Sequence, residues 1–343
     1  MGLTITEKIL AAHAGKDKVT PGETIWVNVD VLMTHDVCGP GTISIFKEQF
    51  GDSCAVFFTS TGTASNVIAL KSVLAACEAV LCADSAHLYR DECAAPEALL
   101  GTKLISVKSR QGKISPEMLV PFLKESQMVH RVQPRVVSIS QCTEWGTVYT
   151  LEEMQALSDF CRKNNLLLHV DGARLANAAC FLKCSLKEIC LNGAIDILSF
   201  GGTKNGLMGA EAVVLFIPEL ATKASFIHKQ LMQLSSKMRY ISAQFLALFN
   251  DNLWQKNAMH ANRMAKLLVE ELEDTVEIVM PVQTNVIFAT LPSEVIEPLQ
   301  ANFPFALWQP ADNIVRWMTS YDTSEVTVRA FARQIKEMMH DYA

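Results

Sequence analysis

Alternation of short apolar runs with helical stretches, sustained from about residue 54 to residue 216, constrains this chain more than any other feature. Residues 54–58, 80–83, 103–107, 135–140, 166–170, 195–200 and 212–216 each read as a buried strand. Helical patterns lie between most of them, including one that opens at Ser60-Thr-Gly-Thr63 and continues to residue 76, and another at 151–164. Strands apolar at nearly every position suit a parallel sheet covered on both faces. The expected fold class is therefore α/β, a mostly parallel sheet sandwiched by helices. A long helical region (220–272), short strands at 277–280 and 285–289, and a final helix from Glu325 read as a smaller C-terminal α+β domain. Residues 1–51 have another texture: a helix-like stretch at 6–14, a Pro21-Gly22 turn, a strand-like alternation at 24–31, a break at Cys38-Gly-Pro-Gly41 and a short helical run into Phe50. The expected division is 1–51, 52–250 and 251–343.

Half of the 343 residues are apolar, and the mean hydropathy is +0.19. Buried strands account for this, because no run approaches the ~20 apolar residues of a spanning helix. A net charge of -6 gives no support for nucleic-acid binding. Ten cysteines with no Cys-x-x-Cys spacing read as free thiols of a reducing cytoplasm, with no metal site. No basic head followed by an apolar core opens the chain, so a cytoplasmic location is expected.

Four features fall where a parallel sheet presents ligands, beyond the carboxyl ends of strands. Thr61-Gly62-Thr63-Ala64-Ser65-Asn66 stands between a strand and a helix. Backbone N–H groups there suit a phosphate, although a plain helix cap has the same sequence. Leu168-His169-Val170-Asp171-Gly172-Ala173-Arg174 puts a carboxylate at the end of an apolar strand, where it needs a partner. A protonated pyridine nitrogen is one candidate; a helix cap or an ion pair with Arg174 is another. Ser199-Phe-Gly-Gly-Thr-Lys204-Asn-Gly206 follows the next apolar strand. A desolvated lysine there is a fit Schiff-base nucleophile, and Gly201, Gly202 and Gly206 leave room for a flat ring. Lys204 thus reads as a lysine that holds pyridoxal 5′-phosphate (PLP). His87, in Asp84-Ser85-Ala86-His87, follows a further strand; a lone histidine is more often structural, and stacking on a flat cofactor is the other reading.

Joint order and spacing of five motifs resemble the threonine aldolase group of the β-eliminating lyases, over about 52–343. They are Ser60-Thr-Gly-Thr-Ala-Ser-Asn66, His169-Val-Asp-Gly-Ala-Arg-Leu-Ala-Asn177, Ser199-Phe-Gly-Gly-Thr-Lys-Asn-Gly-Leu-Met208, Ser236-Lys-Met-Arg239 and Val315-Arg-Trp-Met-Thr319. The resemblance implies PLP-dependent fold type I and retro-aldol cleavage of L-threonine or L-allo-threonine to glycine and acetaldehyde. It implies that Gly62 and Thr63 hold the phosphate, His87 stacks on the ring and Asp171 meets its nitrogen. Lys204 would carry the cofactor beside Thr203, and Arg174 and Arg316 would bind the substrate carboxylate. Arg239 is implied at the phosphate or at a subunit interface. Many of these enzymes have Thr-His where this chain has Thr143-Glu144, so Glu144 or a water takes the histidine's place as base. A homodimer or homotetramer is implied. β-Elimination or racemisation on the same scaffold is the alternative chemistry.

The first 51 residues resemble something else. Thr6-Glu-Lys-Ile-Leu-Ala-Ala-His-Ala-Gly-Lys-Asp17, Pro21-Gly-Glu23 and Met33-Thr-His-Asp-Val-Cys-Gly-Pro-Gly41 are similar to the N-terminus of the isopropylmalate isomerase large subunit, of the aconitase family. Without Cys-x-x-Cys the chain lacks the cluster ligands of that chemistry. Threonine aldolases instead start with a serine-aspartate segment that reaches the substrate carboxylate. Its replacement implies a slow enzyme or an inactive PLP-binding chimera.

Overall fold

Each of the seven apolar runs is a strand of one sheet: β1 (Ala55–Thr59), β2 (Glu78–Ala83), β3 (Lys103–Val107), β4 (Gln133–Ser140), β5 (Leu167–Gly172), β6 (Ile197–Gly201) and β7 (Glu211–Leu215). The computed structural model describes residues 3–28, 40–124 and 128–342. The strand order is β1-β7-β6-β5-β4-β2-β3. Only β7 runs against its neighbours; the pairs from β6 to β3 are parallel. Helices cover both faces, so β6 and β7 are buried at every position. The carboxyl ends of β1, β2, β4, β5 and β6 therefore open along one edge, where a parallel sheet places its ligands.

Helix Gly62–Lys71 is shorter than its pattern suggests. Glu78 Oε2 accepts from Ala75 N–H at 2.8 Å and closes a turn ahead of β2. The 220–272 region is three helices, Ala221–Gln230, Arg239–Phe249 and Leu253–Leu272. Met232, Asp251 and Asn252 take left-handed backbone conformations at the breaks. The last helix is shared: Asn262 Nδ2 donates to Asn177 O at 3.0 Å and Asn262 Oδ1 accepts from Asn177 Nδ2 at 2.9 Å, while its far half packs on helix Glu325–Tyr342.

Downstream, β8 (Glu277–Ile278), β9 (Val286–Thr290), β10 (Ala306–Gln309) and β11 (Ile314–Met318) form an antiparallel sheet of order β10-β11-β9-β8. Its core gathers Trp317, Phe331, Leu299 and Ile335. The last two strands were not legible as strands. β10 is largely exposed, and β11 carries Arg316 between buried Val315 and Trp317.

The opening segment divides in two. Helix Ile5–His13 is closed by a capping box between Thr4 and Glu7, and Trp26 nearby is 95% exposed. The strand expected at 24–31 does not form over 24–28. Asn28 instead exchanges bonds with His13: its N–H donates to His13 O and its carbonyl oxygen meets His13 Nδ1, both at 2.8 Å. The rest of that stretch, and Cys38-Gly39 of the expected break, lie outside the described residues. Helix Pro40–Phe50 belongs to the body of the protein. Phe46 and Phe50, one helical turn apart, are fully buried among Phe58, Phe200, Phe245 and Phe249. The Phe46–Phe245 centroids are 5.0 Å apart at 73°, and Phe50–Phe200 5.1 Å apart at 68°. Phe46→Ala should cost about 3–5 kcal/mol of stability, read as a lower urea midpoint.

Candidate active site

Lys204 sits on a one-turn 3-10 segment, Thr203–Asn205, just beyond β6, and Asp171 is the penultimate residue of β5. Pairing of Asp171 with Ser199 sets the two strand ends side by side. Lys204 and Asp171 consequently line one cavity of about 230 Å³ with Gly62, Thr63, His87 and Glu211. Gly62 and Thr63 form the first turn of a helix whose cap is Thr61; its Oγ1 accepts from Ala64 N–H at 3.2 Å. The remaining first-turn N–H groups have no intrahelical acceptor.

Asp171 Oδ1 accepts from Ala173 N–H and Oδ2 from Asn66 Nδ2, both at 3.0 Å. Burial alone would push this carboxyl up. The Lys204 ammonium, the Asn66 amide and the Ala173 N–H outweigh burial and hold it below the usual carboxylate range. Lys204 moves the other way. Burial, then the Arg174 cation, push its amine below the usual lysine range against the pull of Asp171 and Glu211, which favours the free amine that a nucleophile needs. Behind them, His169 is fully buried between Ser138 Oγ (2.8 Å from Nδ1) and Ser199 Oγ (3.0 Å from Nε2). Burial pushes its pKa down to about 4, so it is neutral at pH 7.

A second cavity of about 260 Å³ adjoins the first, sharing His87, Asp171 and Lys204, and adds Glu144, Arg174 and Arg316. Arg316 reaches in from β11, its guanidinium 4.7 Å from the Trp308 ring centroid. Arg174 Nη2 lies 3.7 Å from Met318 Sδ. The Nε atoms of both arginines are buried without a partner, and burial, then the neighbouring Arg174, lower the Arg316 pKa. Two cations side by side in a half-closed cavity make an anion site. Glu144 Oε1 accepts from His87 N–H at 2.8 Å and Ser140 Oγ at 2.6 Å, while its Oε2 is buried without a partner. Burial pushes the Glu144 carboxyl up.

Two sequence-selected residues stand apart. Thr203 holds the turn, accepting from Ala210 N–H at 3.2 Å and bonding to Glu211. Arg239 lies outside both cavities with its guanidinium 4.7 Å from the Tyr240 ring centroid. Two of the glycines around Lys204 also answer to backbone contact, and Gly201 lines the first cavity as well. A Cβ at Gly201 would lie 2.5 Å from Ala173 O, and one at Gly202 2.5 Å from Ala210 O. Sequence reasoning missed Glu92, buried against His87 and Asn66. His87, Glu92 and Asp171 bring their ligand atoms within 4.8 Å of one another.

The model for β-eliminating lyases matches residues 44–293. The chain belongs to this family. It is 39% identical over 297 residues to the low specificity L-threonine aldolase of Pseudomonas aeruginosa, covering 86% of each chain. A threonine aldolase structure from Leishmania major superposes with a TM-score of 0.82 at 30% identity, over 88% of this chain and 89% of that one. A separate match of 56 residues is 62% identical to the chloroplastic 3-isopropylmalate dehydratase large subunit of Arabidopsis thaliana; it covers 16% of this chain and 11% of that one. Family members are PLP-dependent and take fold type I. Among the described residues, no helix is long and apolar enough to cross a membrane.

Proposed function

We propose that the chain is a PLP-dependent carbon–carbon lyase that cleaves L-threonine and L-allo-threonine to glycine and acetaldehyde. The observation that carries this reading is the convergence of an amine, an ionised carboxylate and a helix N-terminus on one cavity, with two arginines, each with a buried and unpartnered Nε, in the next. The fit to PLP has a direct basis. Asp171 is a buried carboxylate aimed where a pyridine nitrogen would bring a proton, and Gly62 and Thr63 offer N–H groups to a phosphate. When bound, PLP supplies the electron sink for the carbon that loses its neighbour.

This chain's residues supply the rest. Lys204 offers the nucleophilic amine and takes up or returns its proton at Nζ. Asp171 would hold the proton of the ring nitrogen. Arg174 and Arg316 grip the substrate carboxylate and thereby fix which bond at Cα is presented for cleavage. Glu144 accepts the β-hydroxyl proton at Oε2; a carboxyl raised by burial is better matched to that task near neutral pH. Arg316→Leu should lower kcat/KM for threonine about ten- to a hundredfold, the effect of one charge-assisted hydrogen bond, mostly through KM in steady-state assays.

Incubation with L-threonine and product analysis test the proposal. Glycine and acetaldehyde in equal amounts support it, whereas 2-oxobutanoate or D-allo-threonine would point to β-elimination or racemisation. One observation favours a second reading, PLP binding without turnover: none of residues 3–28 lines either cavity. Bound PLP with no product would select it. A homodimer or homotetramer in the cytoplasm completes the proposal. Support comes from free thiols at all nine described cysteines and from Met208 and Met232, large apolar side chains 95% and 86% exposed.

A further inference from the structure

We propose that Glu92 is a positioning residue whose Oε1 atom sets two parts of the site at once, the imidazole of His87 and, through Asn66, the carboxylate of Asp171. The inference rests on the PLP-binding reading above and adds to it a residue outside the sequence motifs. Glu92 Oε1 lies 2.9 Å from His87 Nδ1 and accepts from Asn66 Nδ2 at 2.8 Å. The same Asn66 nitrogen donates to Asp171 Oδ2 at 3.0 Å. One acceptor thus ties the ring that faces the cofactor plane to the group that meets the pyridine nitrogen. A carboxylate only accepts, so it fixes the proton on Nδ1 and leaves Nε2 to face the cavity.

Two further observations point the same way. The Glu92 side chain is fully shielded from solvent although half of its carboxylate, Oε2, has no partner. Burial on those terms is costly in a residue that merely fills space. Cys93 and Ala94, directly after it, both take left-handed backbone conformations (φ 51° and 55°). Consecutive non-glycine residues there are strained, and the strain sits where the chain turns Glu92 inward. The charged groups facing His87 are Glu92 on its own turn, Asp171 on β5, Lys204 beyond β6 and Glu144, which accepts its N–H. The Glu92 hydrogen bond raises the imidazole pKa against the effect of burial, with Asp171 helping and Lys204 opposing.

The test is Glu92→Gln, which keeps shape and removes charge, read in two ways that need no turnover. In the protein without cofactor, the pH dependence of His87 carbethoxylation by diethyl pyrocarbonate, followed by peptide mapping, reports its pKa. The midpoint should fall by roughly one pH unit in the variant, since losing the neighbouring anion makes the imidazole easier to deprotonate. In absorbance titrations, the PLP dissociation constant should rise about tenfold. Equal midpoints and equal PLP affinity in parent and variant would overturn the proposal, as would a lower melting temperature with both values unchanged, which is the mark of a merely structural role. Failure of the parent to cleave threonine would sink the proposed function and leave these two readings intact. Failure of the parent to bind PLP would sink the cofactor reading, while the His87 midpoint would still decide whether Glu92 sets the imidazole.

Discussion

Lys204→Ala is expected to lower threonine cleavage by on the order of 10⁴-fold or more, the scale seen when an enzyme loses the nucleophile around which its site is built. The parent protein should absorb near the visible edge once loaded with PLP, and borohydride should fix the cofactor to the peptide that contains Lys204. The variant should do neither. Its fold should survive, because the Lys204 side chain faces a cavity while the turn is held by neighbours: Thr203 accepts from Ala210 N–H, and Gly202 N–H donates to Glu211 Oε2 at 2.9 Å. Removing the amine relieves a like-charge contact with Arg174 but also takes from buried Asp171 the cation that helps hold it ionised. A folded protein with a lowered melting temperature should therefore accompany the loss of activity. Unchanged covalent PLP in Lys204→Ala would refute the assignment.

Asp171→Asn is the second large effect. The amide retains the shape of the carboxyl and can still accept from Ala173 N–H, so backbone disturbance is small. The charge is gone, and one amide group must turn a donor toward the Asn66 amide. A buried charge deprived of its partner costs about 3–5 kcal/mol, which corresponds to roughly 10²- to 10⁴-fold in kcat/KM. The pH profile carries a sign as well. Asp171 opposes the lowering of the Lys204 pKa, so without it the free amine persists to lower pH and the amine limb of the profile moves toward acid. Activity within threefold of the parent, or a limb that moves toward alkali, would remove Asp171 from its proposed role.

Strands of the large sheet were legible because burial on both faces makes them apolar at nearly every position. The residues that gather around Lys204 were legible for a related reason: each lies within a few positions of a strand end, so a local motif carries it. What escaped reading depends on distance along the chain. Glu92 meets Asn66 across 26 residues, and Asn66 meets Asp171 across 105; neither separation leaves a local pattern. β10 and β11 escaped because a half-exposed sheet with an arginine in its middle loses the apolar signature of a strand. Gly201 and Gly202 were recognised as special, but a further duty was hidden, since only packing shows that Ala173 O and Ala210 O press against them.

Phe46 and Phe50 say something about what the opening segment must supply. The core asks its opening segment for two aromatic rings one helical turn apart, and their partners at 58, 200, 245 and 249 all belong to the later chain. The match to the lyase family begins at residue 44, just ahead of the first ring. An opening segment of other sequence would therefore fit this body wherever it delivers that pair of rings on one helical stripe. Grip is what the body of the protein asks of its opening segment.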